Sequence, residues 1–230
     1  MKILALDTAT EACSVALRLD DRVIERYVEM EKGHAERILP MVDEVLAEAG
    51  LTLHDLDALA FGRGPGAFTG VRLAASVAQG LAYGAGLRVV PVSDLRAIAQ
   101  IVLERSPDAR RVLVCGDARM QEVYWACFER GADGLAAPVG EERVSAPERV
   151  ELPADWTADI HGAGRGFAAF PQLRVRLQDR LAAGDDDPLP HAAQIARLAQ
   201  REVEAGRTVG PDEAIPVYLR DDVARPPSRN

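Results

Sequence analysis

The sequence predicts an α/β protein built from two lobes, and three observations lead to this prediction. Residues 58–84 have the pattern of a buried strand, a glycine loop and an alanine-rich helix. Three strand-like segments precede this unit and form a meander. The opening pattern of strand, aspartate, polar turn and second strand then occurs again after residue 110.

The glycine loop is the most distinctive segment of the chain. An apolar run from Ala58 ends at Phe61, and a loop of glycines around Pro65 follows before the helix begins. Glycine permits the positive φ angles and the tight backbone path that this connection needs. Such a loop either cradles a phosphate at the helix N-terminus or is a tight turn that binds nothing. No lysine stands where a phosphate-binding P-loop requires one.

The first half is predicted to contain strands over residues 3–7, 13–19 and 22–29, a helix over 35–49, the unit over 58–84, a strand over 87–92 and a helix over 95–105. Gly50 ends the first helix, and Ser93 is the predicted N-cap of the last. The helix after the glycine loop carries a single charge between Val71 and Tyr83, at Arg72. It must therefore be covered on nearly all sides, by the core or by a partner.

The second half repeats the opening of the first. Ser106-Pro107-Asp108 interrupts the pattern, so we divide the chain into an N-terminal lobe, 1–105, and a smaller C-terminal lobe, 106–230. Residues 112–117 and 123–128 then repeat the strand, aspartate, turn and strand. A duplicated meander of this kind is typical of two-lobed actin-like folds. The two aspartate turns are expected to face each other across a cleft.

The remaining segments are predicted from composition. We expect residues 137–159 to be irregular, Asp185-Asp186-Asp187 to form a solvated loop and residues 191–205 to form a helix. A short apolar anchor around Val217 is expected to pack back on the first lobe. Residues 224–230 are expected to be disordered.

Bulk properties exclude several classes of protein. A chain of 230 residues with a net charge of −9 should by itself be a poor nucleic-acid binder, because it repels phosphates. The first apolar run is too short for a signal peptide and no segment is long enough to cross a bilayer, so we expect a cytoplasmic protein without membrane contact. The three cysteines have no C-x-x-C spacing and are expected to be reduced core thiols.

Three carboxylates are the best candidates for chemistry at the cleft. Asp7, Glu11 and Asp117 would suit a magnesium or proton role if the cleft binds a nucleotide. The alternative is that Asp7 and Asp117 only accept hydrogen bonds from their own turns. The four histidines are scattered without a metal-binding pair, so neither a metal nor a cofactor is expected.

Two helices offer apolar stripes for a partner. We predict that the interface consists of Ile38, Met41, Val42 and Val45 from the first helix and Val71, Ala74, Ala75 and Ala78 from the helix after the glycine loop. The sheet would cover one side of each helix, and the other side would remain an exposed apolar patch. The alternative is that the alanines pack on the sheet of their own lobe.

Four segments resemble a known family. Residues 3–10, 64–72, 117–124 and 216–220 are similar to the TsaB (YeaZ) family of bacterial tRNA threonylcarbamoyladenosine biosynthesis proteins. This resemblance implies an actin-like ATPase fold of the ASKHA, ribonuclease H-like type. It also implies a non-catalytic dimerisation subunit that scaffolds its paralogue TsaD, which transfers threonylcarbamoyl to N6 of adenosine 37 in tRNAs reading ANN codons.

The resemblance further implies TsaE as a partner, a homodimer when the chain is alone, and tRNA contact only through the complex. The paralogue binds metal through H-x-x-x-H, and the matching positions here are Asp94 and Ile98. The metal-dependent activity is therefore not expected in this chain. The rival interpretation is an independent enzyme with an actin-like fold, either a phosphotransferase or a peptidase.

Overall fold

The first lobe is a five-stranded sheet that begins with the predicted meander. A computed structural model describes residues 1–185 and 188–220, so Asp186, Asp187 and the tail expected to be disordered lie outside the described residues. The elements are β1 (Lys2–Asp7), β2 (Ala12–Leu19), β3 (Arg22–Glu29), α1 (His34–Ala49), β4 (Ala58–Gly62), α2 (Phe68–Ala85) and β5 (Val89–Val92). The strand order is β3-β2-β1-β4-β5, with β1 parallel to β4 and β4 parallel to β5.

Both helices of this lobe pack on one face of the sheet. Their apolar residues share one core with β1, β2 and β4. The side chains predicted to bind a partner are at most 3 % exposed: Ile38, Met41, Val42, Val45, Val71, Ala74, Ala75 and Ala78. The structure corrects the prediction for these residues, because a five-stranded sheet is wide enough for α1 and α2 to lie side by side and bury both stripes.

The second lobe repeats the arrangement with a second five-stranded sheet. Its elements are β6 (Arg111–Asp117), β7 (Val123–Arg130), β8 (Ala136–Ser145), β9 (Ile160–Ala163), α4 (Gly166–Ala169), α5 (Pro171–Leu177) and β10 (Leu181–Asp185). The order β10-β9-β6-β7-β8 places β6 where the first lobe has β1. The two-lobed α/β prediction with duplicated meanders is confirmed.

Two sequence expectations for this lobe need correction. Residues 137–145 belong to β8 and are not irregular, because the hairpin after β7 continues the meander into a third strand. Asp185 is the last residue of β10 rather than part of a solvated loop. The first lobe has the long helix α1 after its meander. At the corresponding place in the second lobe, residues 146–159 contain one short 3-10 turn, Pro147–Arg149.

Two helices cross between the lobes. The helix α3 (Asp94–Arg105) follows β5, yet its Leu95 and Ile98 pack against Val112 on the second sheet. The helix α6 (Ala192–Glu204) follows β10 and packs Ile195 on the first sheet, in the core that contains Ile3. The predicted boundary after residue 105 coincides with the end of α3. The packing crosses this boundary, because α3 packs on the sheet of the second lobe and α6 packs on the sheet of the first.

The last described segment runs along the first lobe. Val209 pairs with Val89 at the edge of the first sheet, and the amide of Val217 donates to the carbonyl of Arg63 at 2.8 Å. None of the helices in residues 1–185 and 188–220 combines the length and apolar character that spanning a bilayer requires. Cys13, Cys115 and Cys127 are free thiols buried in the core, as expected.

Candidate functional site

A cleft of about 950 Å³ separates the two lobes. The turn after β1 and the glycine loop line its first-lobe side, and the turn after β6 lines the other. Leu95 and Ile98 of α3 contribute apolar surface, and residues 217–220 complete the wall. The carboxyl ends of the two central strands therefore meet at one opening, which is where α/β sheets bind ligands.

Two of the predicted carboxylates, Glu11 and Asp117, are linked across this cleft. The guanidinium of Arg119 donates to Oε1 of Glu11 at 3.1 Å and to Oδ2 of Asp117 at 3.0 Å. Arg165 adds an ion pair to Glu11 at 3.8 Å and donates to Glu29 at 2.6 Å. The Arg119 side chain is 73 % exposed, so its ion pairs link the two turns only weakly.

The turn after β6 is held by its own aspartate. Oδ1 of Asp117 accepts a hydrogen bond from the amide of Arg119 at 2.7 Å. Three successive residues, Arg119, Met120 and Gln121, have φ between 52° and 63°, a left-handed path that is unfavourable for side chains other than glycine. Arg220 closes the turn from outside by donating to the carbonyl of Ala118 at 3.1 Å. Asp117 therefore has the turn-stabilising contact considered above.

The third predicted carboxylate, Asp7, lies elsewhere. It is fully buried at the end of β1, where Oδ1 accepts from the amide of Ala9 at 3.1 Å. Beside it lies Asp94, 1 % exposed, whose Oδ2 accepts from the amide of Gly64 at 2.6 Å. A Cβ on Gly62 would overlap Oδ1 of both aspartates. The two carboxyl groups thus converge over Gly62 beneath the glycine loop.

Burial dominates the electrostatics of this pair. It raises the pKa of Asp7 to about 7, although the amide of Ala9 and the Asp94 carboxyl partly offset the increase. Burial and then the negative charge of Asp7 raise the pKa of Asp94 well above its usual range. Sequence reasoning considered Asp94 as the position that matches a metal-binding histidine of the paralogue, not as a partner of Asp7. The available signal lay at the strand ends. The strand β4 ends at Gly62, its neighbour β1 ends at Asp7, and its other neighbour β5 is followed closely by Asp94.

The glycine loop packs against the turn after β1. The amide of Ala67 donates to the carbonyl of Ala9 at 2.7 Å, and the Thr8 hydroxyl donates to the carbonyl of Gly70 at 2.7 Å. A Cβ on Gly66 would overlap the carbonyl oxygen of Ala9, and a Cβ on Gly70 would overlap the carbonyl oxygen of Thr8. The tight-turn interpretation therefore accounts for both glycines through close backbone contact.

The actin-like fold implies a magnesium–nucleotide, and the residues do not fit one well. Glu11 and Asp117 are engaged by Arg119, and Asp7 is buried under the loop. Within residues 1–185 and 188–220 no group of three His, Cys, Asp or Glu side chains is placed to hold a metal. His34 contacts the carbonyl of Thr10 at 3.0 Å and His191 stacks on Tyr27 with ring centroids 4.1 Å apart.

Two sheets of the same strand order, closing on a cleft at the ends of their central strands, define a protein of the actin-like ATPase fold class. The family model for TsaD, described as tRNA N6-adenosine threonylcarbamoyltransferase, matches residues 28–225. The TsaB proteins of Escherichia coli and Haemophilus influenzae, each called a tRNA threonylcarbamoyladenosine biosynthesis protein, are 43 % and 42 % identical.

These matches extend over nearly the whole chain. The alignment with the Escherichia coli protein covers 97 % of this chain and 96 % of that protein, and the alignment with the Haemophilus influenzae protein covers 97 % and 95 %. The solved structure of YeaZ from Pseudomonas aeruginosa is 45 % identical with a TM-score of 0.87, covering 95 % of this chain and 99 % of that one. The chain belongs to the TsaB (YeaZ) family, which confirms the resemblance inferred from its motifs.

Proposed function

We propose that this protein acts in tRNA threonylcarbamoyladenosine biosynthesis as a non-catalytic subunit that scaffolds and activates TsaD. The curated relatives bear the name of this pathway, and the match to the TsaD model is consistent with a paralogue that pairs with its relative. The three predicted carboxylates support a non-catalytic role, because two are engaged by an arginine of the chain itself and the third is buried away from the cleft. Glu11 and Asp117 bind Arg119, and Asp7 faces Asp94.

The single observation that carries the partner assignment is the exposed face of α2. Once its buried face is assigned to the core, the outward side presents a stripe that we call the α2 stripe: Thr69, Arg72, Ser76, Gly80 and Tyr83, all exposed. Successive members are three or four residues apart, the spacing of one helical face. The stripe is therefore a continuous surface that the lobe leaves uncovered.

The composition of the α2 stripe suits a helical partner. Ser76, Gly80 and the neighbouring Gly84 are small and four residues apart, so a second helix can approach the backbone closely. Tyr83, 83 % exposed, lies at one end, and Phe68, 48 % exposed, lies at the other. Arg72 stands over the Phe68 ring at 3.8 Å and donates to the Tyr218 hydroxyl at 2.8 Å. Aromatic and arginine side chains are those that dominate interface energies.

We assign the stripe to TsaD and, in its absence, to a second copy of this chain. A self-complementary helical face gives a two-fold dimer, and the same face can bind a paralogue of the same fold. TsaE would join this assembly, and tRNA would be bound only through it, because the net charge of −9 opposes direct binding. We place the assembly in the cytoplasm, where tRNA is modified.

The test compares two charge substitutions on the stripe with one in the core. Ser76→Glu and Gly80→Glu should leave the lobe folded and weaken TsaD binding about 100-fold or more, because a carboxylate would be buried without a partner at the contact. Ala78→Glu should instead unfold the lobe, since Ala78 is fully buried. Calorimetry measures affinity, and reconstituted tRNA modification measures activity.

Val175→Glu is the matched control. Val175 is 67 % exposed on α5 of the second lobe, so its substitution adds the same charge to a helix outside the proposed interface. Circular dichroism must show that the stripe variants are folded. Folded Ser76→Glu and Gly80→Glu proteins that bind TsaD as tightly as wild type would refute the assignment of the stripe. Wild-type protein that fails to support tRNA modification with TsaD and TsaE would refute the proposed function itself.

A further inference from the structure

The Asp7–Asp94 pair contains oxygens that no contact described above satisfies. Oδ2 of Asp7 and Oδ1 of Asp94 are completely buried and accept no hydrogen bond from a donor in the described part of the chain. The two carboxyl groups lie within hydrogen-bonding reach of each other. Buried polar atoms are nearly always hydrogen-bonded, so this pair requires a physical explanation.

Surrounding charges do not neutralise the pair. Glu142 of β8 faces Asp94 and disfavours its ionisation, and Glu142 is itself paired with Arg63 at 3.4 Å. His191 at the start of α6 favours ionisation of Asp7, but it lies 3.3 Å from Glu25. The Cys13 thiol on β2 also faces Asp7, and the pKa of that thiol is raised to about 11 by burial and by the aspartate charge. No described cation is in contact with either aspartate.

We propose that Asp7 and Asp94 share one proton at neutral pH, forming a carboxyl–carboxylate hydrogen bond that joins β1, the glycine loop and α3. One proton satisfies both unpartnered oxygens and removes the repulsion between two buried charges. The remaining oxygens hold the amides of Ala9 and Gly64, so the bond ties the cleft turn to the loop that leads into α2. The pair is therefore a pH-sensitive link between the turn after β1 and the glycine loop.

The direction of the pH effect follows from proton binding. In the unfolded chain each aspartate loses its proton near pH 3.8, whereas in the folded protein burial raises the pKa of Asp7 to about 7 and raises the pKa of Asp94 well above its usual range. Above about pH 4 the folded state binds more protons at this pair than the unfolded state does, so the stability that the pair contributes is greatest at low pH and falls as pH rises through 7. Each extra proton changes the unfolding equilibrium about tenfold per pH unit.

The experiment uses the full chain and two measurements. Urea denaturation from pH 4 to 9 should show the unfolding equilibrium shifting toward the unfolded state as pH rises. Asp94→Asn should flatten this profile, because the amide donates to Asp7 without a titrating proton. Asp43→Asn, on the exposed surface of α1, should keep the wild-type profile. The carbon-13 carboxyl signals of aspartate in wild-type protein at pH 7 should include one protonated group, which Asp94→Asn loses.

Three outcomes would overturn the proposal. The first is a wild-type spectrum in which every aspartate is ionised at pH 7, a result that does not depend on whether any variant folds. The second is an Asp94→Asn protein with the wild-type pH profile. The third is a stability that depends on sodium, potassium or magnesium concentration and not on pH, which would assign a cation to the position of the proton. None of these results depends on the proposed role in tRNA modification.

Discussion

The turns after β1 and β6 hold equivalent positions in the two lobes, yet their aspartates lie in opposite environments. Asp7 is fully buried, faces a second carboxyl group and has a pKa raised to about 7 by burial. Asp117 is 25 % exposed, accepts from the amide of its own turn and pairs with Arg119. In the first lobe α3 brings Asp94 to the turn, whereas in the second lobe an arginine from the turn itself reaches the carboxylate.

This difference shows that duplication of a backbone does not duplicate a site. The two meanders have the same strand order and place an aspartate at the same point. What each aspartate does is decided by the segments packed around it, because burial and neighbouring charge set the state of a carboxyl group. The lobes should therefore respond alike to changes of backbone packing and differently to changes of the aspartates.

The largest losses of stability should come from substituting two glycines that have similar backbone contacts in the two lobes. A Cβ on Gly66 would overlap the backbone of Ala9, and a Cβ on Gly166 would overlap the backbone of Cys115. We expect Gly66→Ala and Gly166→Ala each to lower the free energy of unfolding by about 3 kcal/mol, the upper end of the range for overpacking, because backbone atoms cannot move aside as a flexible side chain does. Urea denaturation measures the loss.

Gly80→Ala on α2 is the control for these glycines. Nothing lies within 4 Å of the added Cβ, so this variant should gain about 0.5–1 kcal/mol from helix propensity. A large loss for Gly66→Ala with little change for Gly166→Ala would show that the two glycine turns are not packed equivalently.

Substitution of Asp7 and of Asp117 should lower the free energy of unfolding by different amounts. At pH 6, where Asp7 is largely protonated, we expect Asp7→Ala to cost about 1–3 kcal/mol because the Ala9 amide and the Asp94 carboxyl lose a partner in a fully buried place. Asp117→Ala should cost no more than about 1 kcal/mol, since water replaces the lost contacts. Thermal or urea denaturation at this pH measures both. Equal losses would mean that burial does not distinguish the two positions.

The smallest losses of stability should come from substituting the two arginines at the turn after β6. The Arg220 side chain is 18 % exposed and donates to Ala118 and Glu122, whereas Arg119 is 73 % exposed. We expect Arg220→Ala to cost about 1 kcal/mol and Arg119→Ala no more than about 0.5 kcal/mol.

Salt and a conservative variant sharpen this last test. The effect of Arg119→Ala should vanish in 1 M salt, where the Debye length is about 3 Å. Arg220→Lys should recover only part of the loss, because lysine cannot reproduce the forked contacts of the guanidinium. Equal losses for both alanine variants would show that the exposed bridge stabilises the turn as much as the partly buried one.

For the helices α1 and α2 the sequence predicted the secondary structure but not which side of each helix is buried. Their apolar periodicity correctly predicted two helices, each with an apolar stripe, and the glycine loop correctly predicted the connection before α2. The same stripe was assigned to a partner because an apolar helical face has one pattern whether a sheet or another protein covers it. Only the width of the five-stranded sheet decided that the stripe is core and that the opposite side is exposed.

The sequence by itself determined the order of the elements, the duplicated meander and the aspartate at the end of each first strand, because these features depend on residues close together in the chain. Only the tertiary structure decided that α3 and α6 pack on the opposite sheets, that Asp7 faces Asp94, and that Arg119 joins Glu11 to Asp117. The reason is physical: burial, pairing and pKa depend on which distant segments meet in the packed fold, and a local pattern does not encode those meetings.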